Sequence, residues 1–87
     1  MSGGYTGGVS PTVFRHGPFR FFFFSREEAR KHIHVISPDG EAKYWIEPEI
    51  ELARNHGFSS RDLNRTRQLI EEYEDVISGA WAEYFRD

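Results

Sequence analysis

Two short segments most constrain the fold of this chain: the aromatic run Phe19–Phe24 and the tetrapeptide His32–Val35. Successive side chains of an extended strand point to opposite faces of a sheet. The tetrapeptide alternates histidine with an aliphatic residue, so a strand would place both imidazoles on one face and Ile33 and Val35 on the other. The pattern therefore predicts a sheet with one apolar face and one face that carries titratable rings beside an aromatic strand.

The length and composition predict one small domain. The chain has 87 residues, 38% of them hydrophobic and 16% aromatic, which is enough for a packed core. The absence of cysteine excludes disulfides and thiolate metal sites, as is common in a reducing compartment. No apolar stretch approaches the roughly 20 residues of a membrane span, and the start lacks a signal-peptide pattern. We therefore expect a cytoplasmic protein that makes no membrane contact.

The charge is distributed unevenly along the chain. Residues 1–40 hold five Lys/Arg and three acids, a net of +2, whereas residues 41–87 hold six and eleven, a net of −5. The total of −3 argues against non-specific nucleic-acid binding, while a local basic patch in the first half stays possible.

Residues 1–10 are predicted to form a flexible leader, and residues 11–87 a single α+β domain. The first ten residues include four Gly and two Ser and hold almost no apolar side chains, so burial cannot offset their ordering entropy. Turn residues then separate short β-rich segments, with connections too short for parallel crossovers. We predict a small antiparallel meander of three to four strands at Pro11–Arg15, Phe19–Phe24, His32–Ile36 and Glu41–Glu47.

The hydrophobic period changes after Pro48. The apolar positions at Ile50, Leu52 and Ala53 predict a short helix, and Gly57 suits the left-handed residue that ends one.

A long C-terminal helix is predicted next, from Ser59 to about Phe85. Ser59 can cap its first turn, with Asp62 at the reciprocal position, and apolar residues then recur at helical spacing. Gly79 is a candidate bend. The short helix and the long helix are expected to pack on one face of the sheet.

The other face of the sheet is expected to stay uncovered. Placing the purely apolar member of each alternating pair in the core leaves seven residues outside, and these form our candidate partner-binding site. They are Arg20, Phe22, Phe24, His32, His34, Lys43 and Trp45.

Three hypotheses compete for this surface. It could close a homodimer, or be covered by residues 1–10 or by the end of the long helix. It could bind a cognate small protein, or RNA through base stacking and phosphate contacts. As an enzyme, it could act as a metal-independent ribonuclease, with His32 and His34 as general base and acid and Arg20 or Lys43 stabilising the developing charge.

No metal or cofactor is predicted. A His-x-His pair supplies two nitrogens, and the further candidates Asp39, Glu41 and His16 lie at no diagnostic spacing. No Gly-rich phosphate loop or nucleotide fingerprint is present.

One polar stripe lies on the long helix, at Arg61, Arg65 and Gln68. It could touch phosphate, but we interpret it as a solvated face because Glu71, Glu72, Glu74 and Asp75 follow at once.

Several blocks together resemble a known family. They are Pro11-Thr12, the aromatic strand, the histidine tetrapeptide, Ala42-Lys43-Tyr44-Trp45, Ile50-Glu51-Leu52-Ala53, Gly57-Phe58-Ser59 and Trp81-Ala82-Glu83-Tyr84-Phe85. In this order they are similar to the small bacterial family catalogued as a domain of unknown function, number four-one-six-zero, over about residues 11–86. The resemblance implies a toxin–antitoxin-like gene pair with a partner protein, and RNA as a further target. It carries over no established activity.

Overall fold

Five strands followed by two helices make up the protein in a computed structural model, which describes residues 11–24 and 29–85. The predicted leader at residues 1–10 lies outside the described residues. The elements are β1 (Thr12–His16), β2 (Phe19–Phe22), β3 (His32–Ser37), β4 (Gly40–Trp45), β5 (Glu51–His56), α1 (Ser60–Glu72) and α2 (Glu74–Tyr84).

The strands form one antiparallel sheet in the order β1-β2-β3-β4-β5, so each strand pairs with its neighbour in sequence. The predicted α+β class and the antiparallel meander are confirmed. Edge strands β1 and β5 each contain one residue without an opposite partner, Val13 and Ala53, where the register shifts.

The predicted count of three to four strands is wrong, because the segment assigned to a short helix is β5. It pairs with β4 from Trp45↔Glu51 to Glu41↔His56. All six of its residues are exposed, so no buried stripe was present to mark the period of this element. Gly57 does have a positive φ of 96°, as predicted, but it follows a strand.

The long helix is also two helices, which meet at Tyr73 and not at Gly79. The predicted cap is confirmed, since the Ser59 hydroxyl accepts a hydrogen bond from the Asp62 amide at 3.1 Å. Tyr73 leaves helical geometry at φ −104° and ψ 18°. Its ring stacks on Phe14 of β1 at 4.2 Å between centroids, a tertiary contact that helical spacing alone cannot predict.

The core lies between the sheet and the two helices. Strand alternation predicts seven inward side chains in β2, β3 and β4 and just after β2 and β4, and all seven are buried there, together with residues of both helices. The sheet residues are Phe21, Phe23, Ile33, Val35, Ala42, Tyr44 and Ile46, and the helix residues are Leu69, Ile70 and Ile77.

Tyr44 joins the sheet to α1 by hydrogen bonds within this core. Its hydroxyl donates to the Leu63 carbonyl oxygen at 3.0 Å and lies 2.8 Å from Thr66 Oγ1. Burial raises the pKa of Tyr44 above its ordinary value of 10.0, and the Thr66 hydrogen bond and the nearby Arg67 charge lower that pKa to a smaller extent.

Candidate functional site

The face of the sheet opposite the core, called the outer face from here, brings together all seven predicted site residues. The strand register places Phe22 opposite His34, His34 opposite Lys43, and His32 opposite Trp45. Directly opposite residues of antiparallel strands share a face. These five side chains are therefore neighbours on the outer face.

Ring contacts join these residues into one cluster. His34 lies 5.5 Å from Phe22 and 4.4 Å from Phe24, centroid to centroid. The two imidazoles are 5.2 Å apart, and His32 is 5.8 Å from the Trp45 ring. The cluster therefore extends without a gap from the end of β2 to β4.

The expectation that this face is open to solvent is wrong for four of its residues. His32 is 0%, Phe22 and His34 are each 5%, and Lys43 is 8% exposed. Alternation assigns a side chain to a face, but it does not reveal how far large neighbours cover it. Phe24 is 40% exposed, and Arg20 and Trp45 are partly exposed, so these three form the accessible part of the predicted site.

One contribution to this burial comes from α2. The Trp81 ring lies 5.2 Å from His32 and 5.3 Å from Phe23 of the core, so it reaches around the end of the sheet. One hypothesis from the sequence was that the end of the C-terminal helix covers this face. Trp81 does so at His32.

A backbone hydrogen bond fixes the His32 ring. Its Nδ1 lies 2.6 Å from the carbonyl oxygen of Arg30. Because a carbonyl oxygen only accepts, Nδ1 carries the proton in this contact. The bond holds the ring edge against Trp45 and Trp81.

Three cations lie over aromatic rings on the outer face. The Arg20 guanidinium is 4.6 Å from the Phe22 centroid, and both Arg30 and Lys43 lie over Trp45, at 4.3 and 4.4 Å. Such contacts contribute about 0.5–1 kcal/mol at exposed sites. Positive charge is thus held in place along the aromatic cluster.

A pocket of about 200 Å³ opens on the same face, and one of its lining residues, Arg54, was not predicted from the sequence. Phe22, Phe24 and His34 line it together with Glu41 and the exposed Arg54 of β5. Arg54 lies opposite Lys43, and among the described residues it forms no ion pair. Arg54 was not predicted as a site residue because its segment was assigned to a short helix. The alternation Glu49-Ile50-Glu51-Leu52 is a strand signal.

Aromatic and cationic groups make up most of this face. Within residues 11–24 and 29–85, no group of three or more His, Asp or Glu side chains is arranged to hold a metal ion. A general acid or base must come within hydrogen-bond reach of its substrate; His34 lines the pocket, whereas His32 is fully buried. Over the same residues, no helix is long and apolar enough to cross a membrane.

Comparison with known proteins gives one match. The chain has no significant match among curated proteins or among solved structures. The model of one protein family, described as "Domain of unknown function (DUF4160)", matches residues 19–82. The match covers the strands from β2 to β5, α1 and most of α2, and therefore the whole aromatic cluster. The chain belongs to this family.

Proposed function

We propose that this protein binds a cognate small protein through the outer face, as one member of a toxin–antitoxin-like pair. The observation that carries the proposal is the position of Phe24, a large exposed ring in contact with His34 at the mouth of a pocket that also presents Arg54. Aromatic and arginine side chains grouped around a pocket are the usual centre of a protein interface.

The charge on this face favours a partner with an acidic contact surface. Five cations, Arg15, Arg20, Arg30, Lys43 and Arg54, lie on or beside it, against the three carboxylates of Glu41, Glu47 and Glu51. Glu51 is already paired with Arg30 at 3.5 Å. Complementary charge of this kind raises association rates and disfavours basic partners. The chain as a whole has a net charge of −3, so the positive region is local.

The test uses the protein encoded by the neighbouring gene as the ligand in isothermal titration calorimetry. Removing a central aromatic contact costs about 2 kcal/mol or more, so Phe24→Ala is expected to weaken binding about thirtyfold. Val76→Ala is the matched control, because Val76 is a 50% exposed hydrophobic residue on α2. Both variants should stay folded at the temperature of the titration, which circular dichroism checks.

Two results would contradict the proposal. One is unchanged affinity in both Phe24→Ala and Arg54→Gln. The other is self-association of the wild type in sedimentation that Phe24→Ala abolishes, without binding of the neighbouring protein, which would assign the face to a homodimer.

The full burial of His32 weighs against the ribonuclease alternative, which needs both histidines of the pair and therefore stays a sequence prediction. Its test is RNA cleavage in EDTA that is lost in both His32→Ala and His34→Ala.

A further inference from the structure

A second surface, separate from the outer face, is formed by α1 and the β1–β2 turn. A groove of about 850 Å³ lies between them. Its described lining residues are Pro18 and Phe19 from the turn and β2, and Arg61, Asp62, Asn64, Arg65 and Gln68 from α1. The polar stripe identified in the sequence therefore lines a concave surface rather than a convex helix face.

Two guanidiniums dominate the charge of this groove. Arg61 and Arg65 are one helical turn apart, about 6 Å along the axis. Both are exposed, and among the described residues neither forms an ion pair. Asp62 carries the single carboxylate among the described lining residues. The groove also begins in the first turn of α1, where the helix dipole favours anions.

The four acidic residues that argued for a solvated face are not among the described lining residues of the groove, and Glu72 lies in the last turn of α1. Glu71 pairs with Arg67 at 3.5 Å. Glu74 and Asp75 belong to α2, which begins after α1 ends near Tyr73. A chain of phosphates along the first half of α1 would not have to pass these carboxylates.

We propose that this groove binds single-stranded nucleic acid. The two arginines would contact neighbouring phosphates of one strand, with charge-assisted hydrogen bonds. The side-chain amides of Asn64 and Gln68, on the same helix face, carry both donors and acceptors for base edges, which only unpaired bases expose fully. The arginines and amides line a concave surface, whereas direct reading of a DNA duplex uses an element that enters its major groove, such as an α-helix or a two-stranded β-ribbon.

The experiment is fluorescence anisotropy with a labelled single-stranded RNA of mixed sequence, across about 50 to 200 mM salt. Two phosphate contacts predict a slope of log affinity against log salt of about −1.4 for a single strand. Arg61→Gln/Arg65→Gln is expected to remove most of this slope and to lower affinity about tenfold or more. Asn64→Ala/Gln68→Ala is expected to lower affinity and leave the slope unchanged.

Arg15→Gln is the matched control for Arg65→Gln, since it removes one exposed charge outside the groove. Equal weakening by these two single variants would overturn the proposal, because binding would then follow net charge only. No binding by the wild type, tighter binding of the corresponding duplex, or equal competition by an oligoglutamate peptide would also overturn it. None of these results bears on the cognate protein, which is measured with Phe24→Ala.

Discussion

Replacing Tyr44 with phenylalanine tests how the sheet is joined to α1. The change removes the hydrogen bond from the Tyr44 hydroxyl to the Leu63 carbonyl oxygen. Thr66 Oγ1 lies 3.1 Å from the same carbonyl oxygen and can donate to it, so no buried polar group loses its last partner. The net loss is therefore that of one buried hydrogen bond, about 1 kcal/mol, and not the larger cost of an unsatisfied group. For a domain of this size we expect the Tm to fall by about 4–8 °C.

The pH dependence of the stability difference between the wild type and Tyr44→Phe distinguishes loss of the hydroxyl from simple loss of packing. Because burial raises the pKa of Tyr44 in the folded state, the unfolded chain releases this proton first as the pH rises above 10.0. The wild type therefore loses stability from that pH up to the folded pKa, with a slope of at most about 1.4 kcal/mol per pH unit from this group. Tyr44→Phe lacks this contribution, so the stability difference between the two proteins should shrink above pH 10.

The assay is chemical denaturation of both proteins between pH 8 and pH 11, followed by circular dichroism. Tyr84→Phe is the control, because its ring is 40% exposed, and we expect it to keep the alkaline loss of the wild type. A stability difference between the wild type and Tyr44→Phe that stays constant across this range would refute the reasoning. A Tm loss of more than about 20 °C would contradict the rescue by Thr66.

Three further predictions concern backbone, capping and packing. Gly57→Ala should lower the free energy of unfolding by more than about 1 kcal/mol in urea denaturation, because φ is 96° and the added Cβ would lie 2.6 Å from the Asp39 carbonyl oxygen. Wild-type stability of this variant would contradict the described geometry. Ser59→Ala should cost about 1 kcal/mol and Ser59→Asp much less, as the cap to the Asp62 amide requires, and equal losses in thermal melts would exclude that role. Leu69→Ala should cost about 2–5 kcal/mol by the same denaturation assay, and a loss below 1 kcal/mol would show that the site is not packed as described.

Strand alternation predicted the faces of the sheet well. Ile33, Val35 and Tyr44 lie in the core as expected, because burial on one side of a strand imposes a period of two. The same pattern placed the histidine pair on the opposite face. It could not predict that both rings are buried, since the His32 ring is covered by Trp81, 49 residues away in the chain, and the His34 ring packs against Phe22 and Phe24.

Two elements were predicted wrongly, strand β5 and the long helix, because the hydrophobic pattern of the sequence does not mark β5 or the end of α1. Strand β5 is exposed along its whole length, so its hydrogen bonds to β4 define it, and its sequence offers only the short alternation Glu49-Ile50-Glu51-Leu52 at its start. Arg54 was missed for this reason. The division at Tyr73 was missed because the hydrophobic spacing continues through it, while the stacking of its ring on Phe14 depends on a strand at the other end of the chain.

The unpartnered residues Val13 and Ala53 have a consequence for behaviour at high concentration. Both lie on edge strands, whose outward N–H and C=O groups are a template for another chain. An extra residue bends such a strand and increases its twist, which interrupts the even spacing of those groups. At each edge, a newly arriving strand would meet a discontinuous row of donors and acceptors. The irregular register thus opposes edge-to-edge polymerisation of the sheet into fibres.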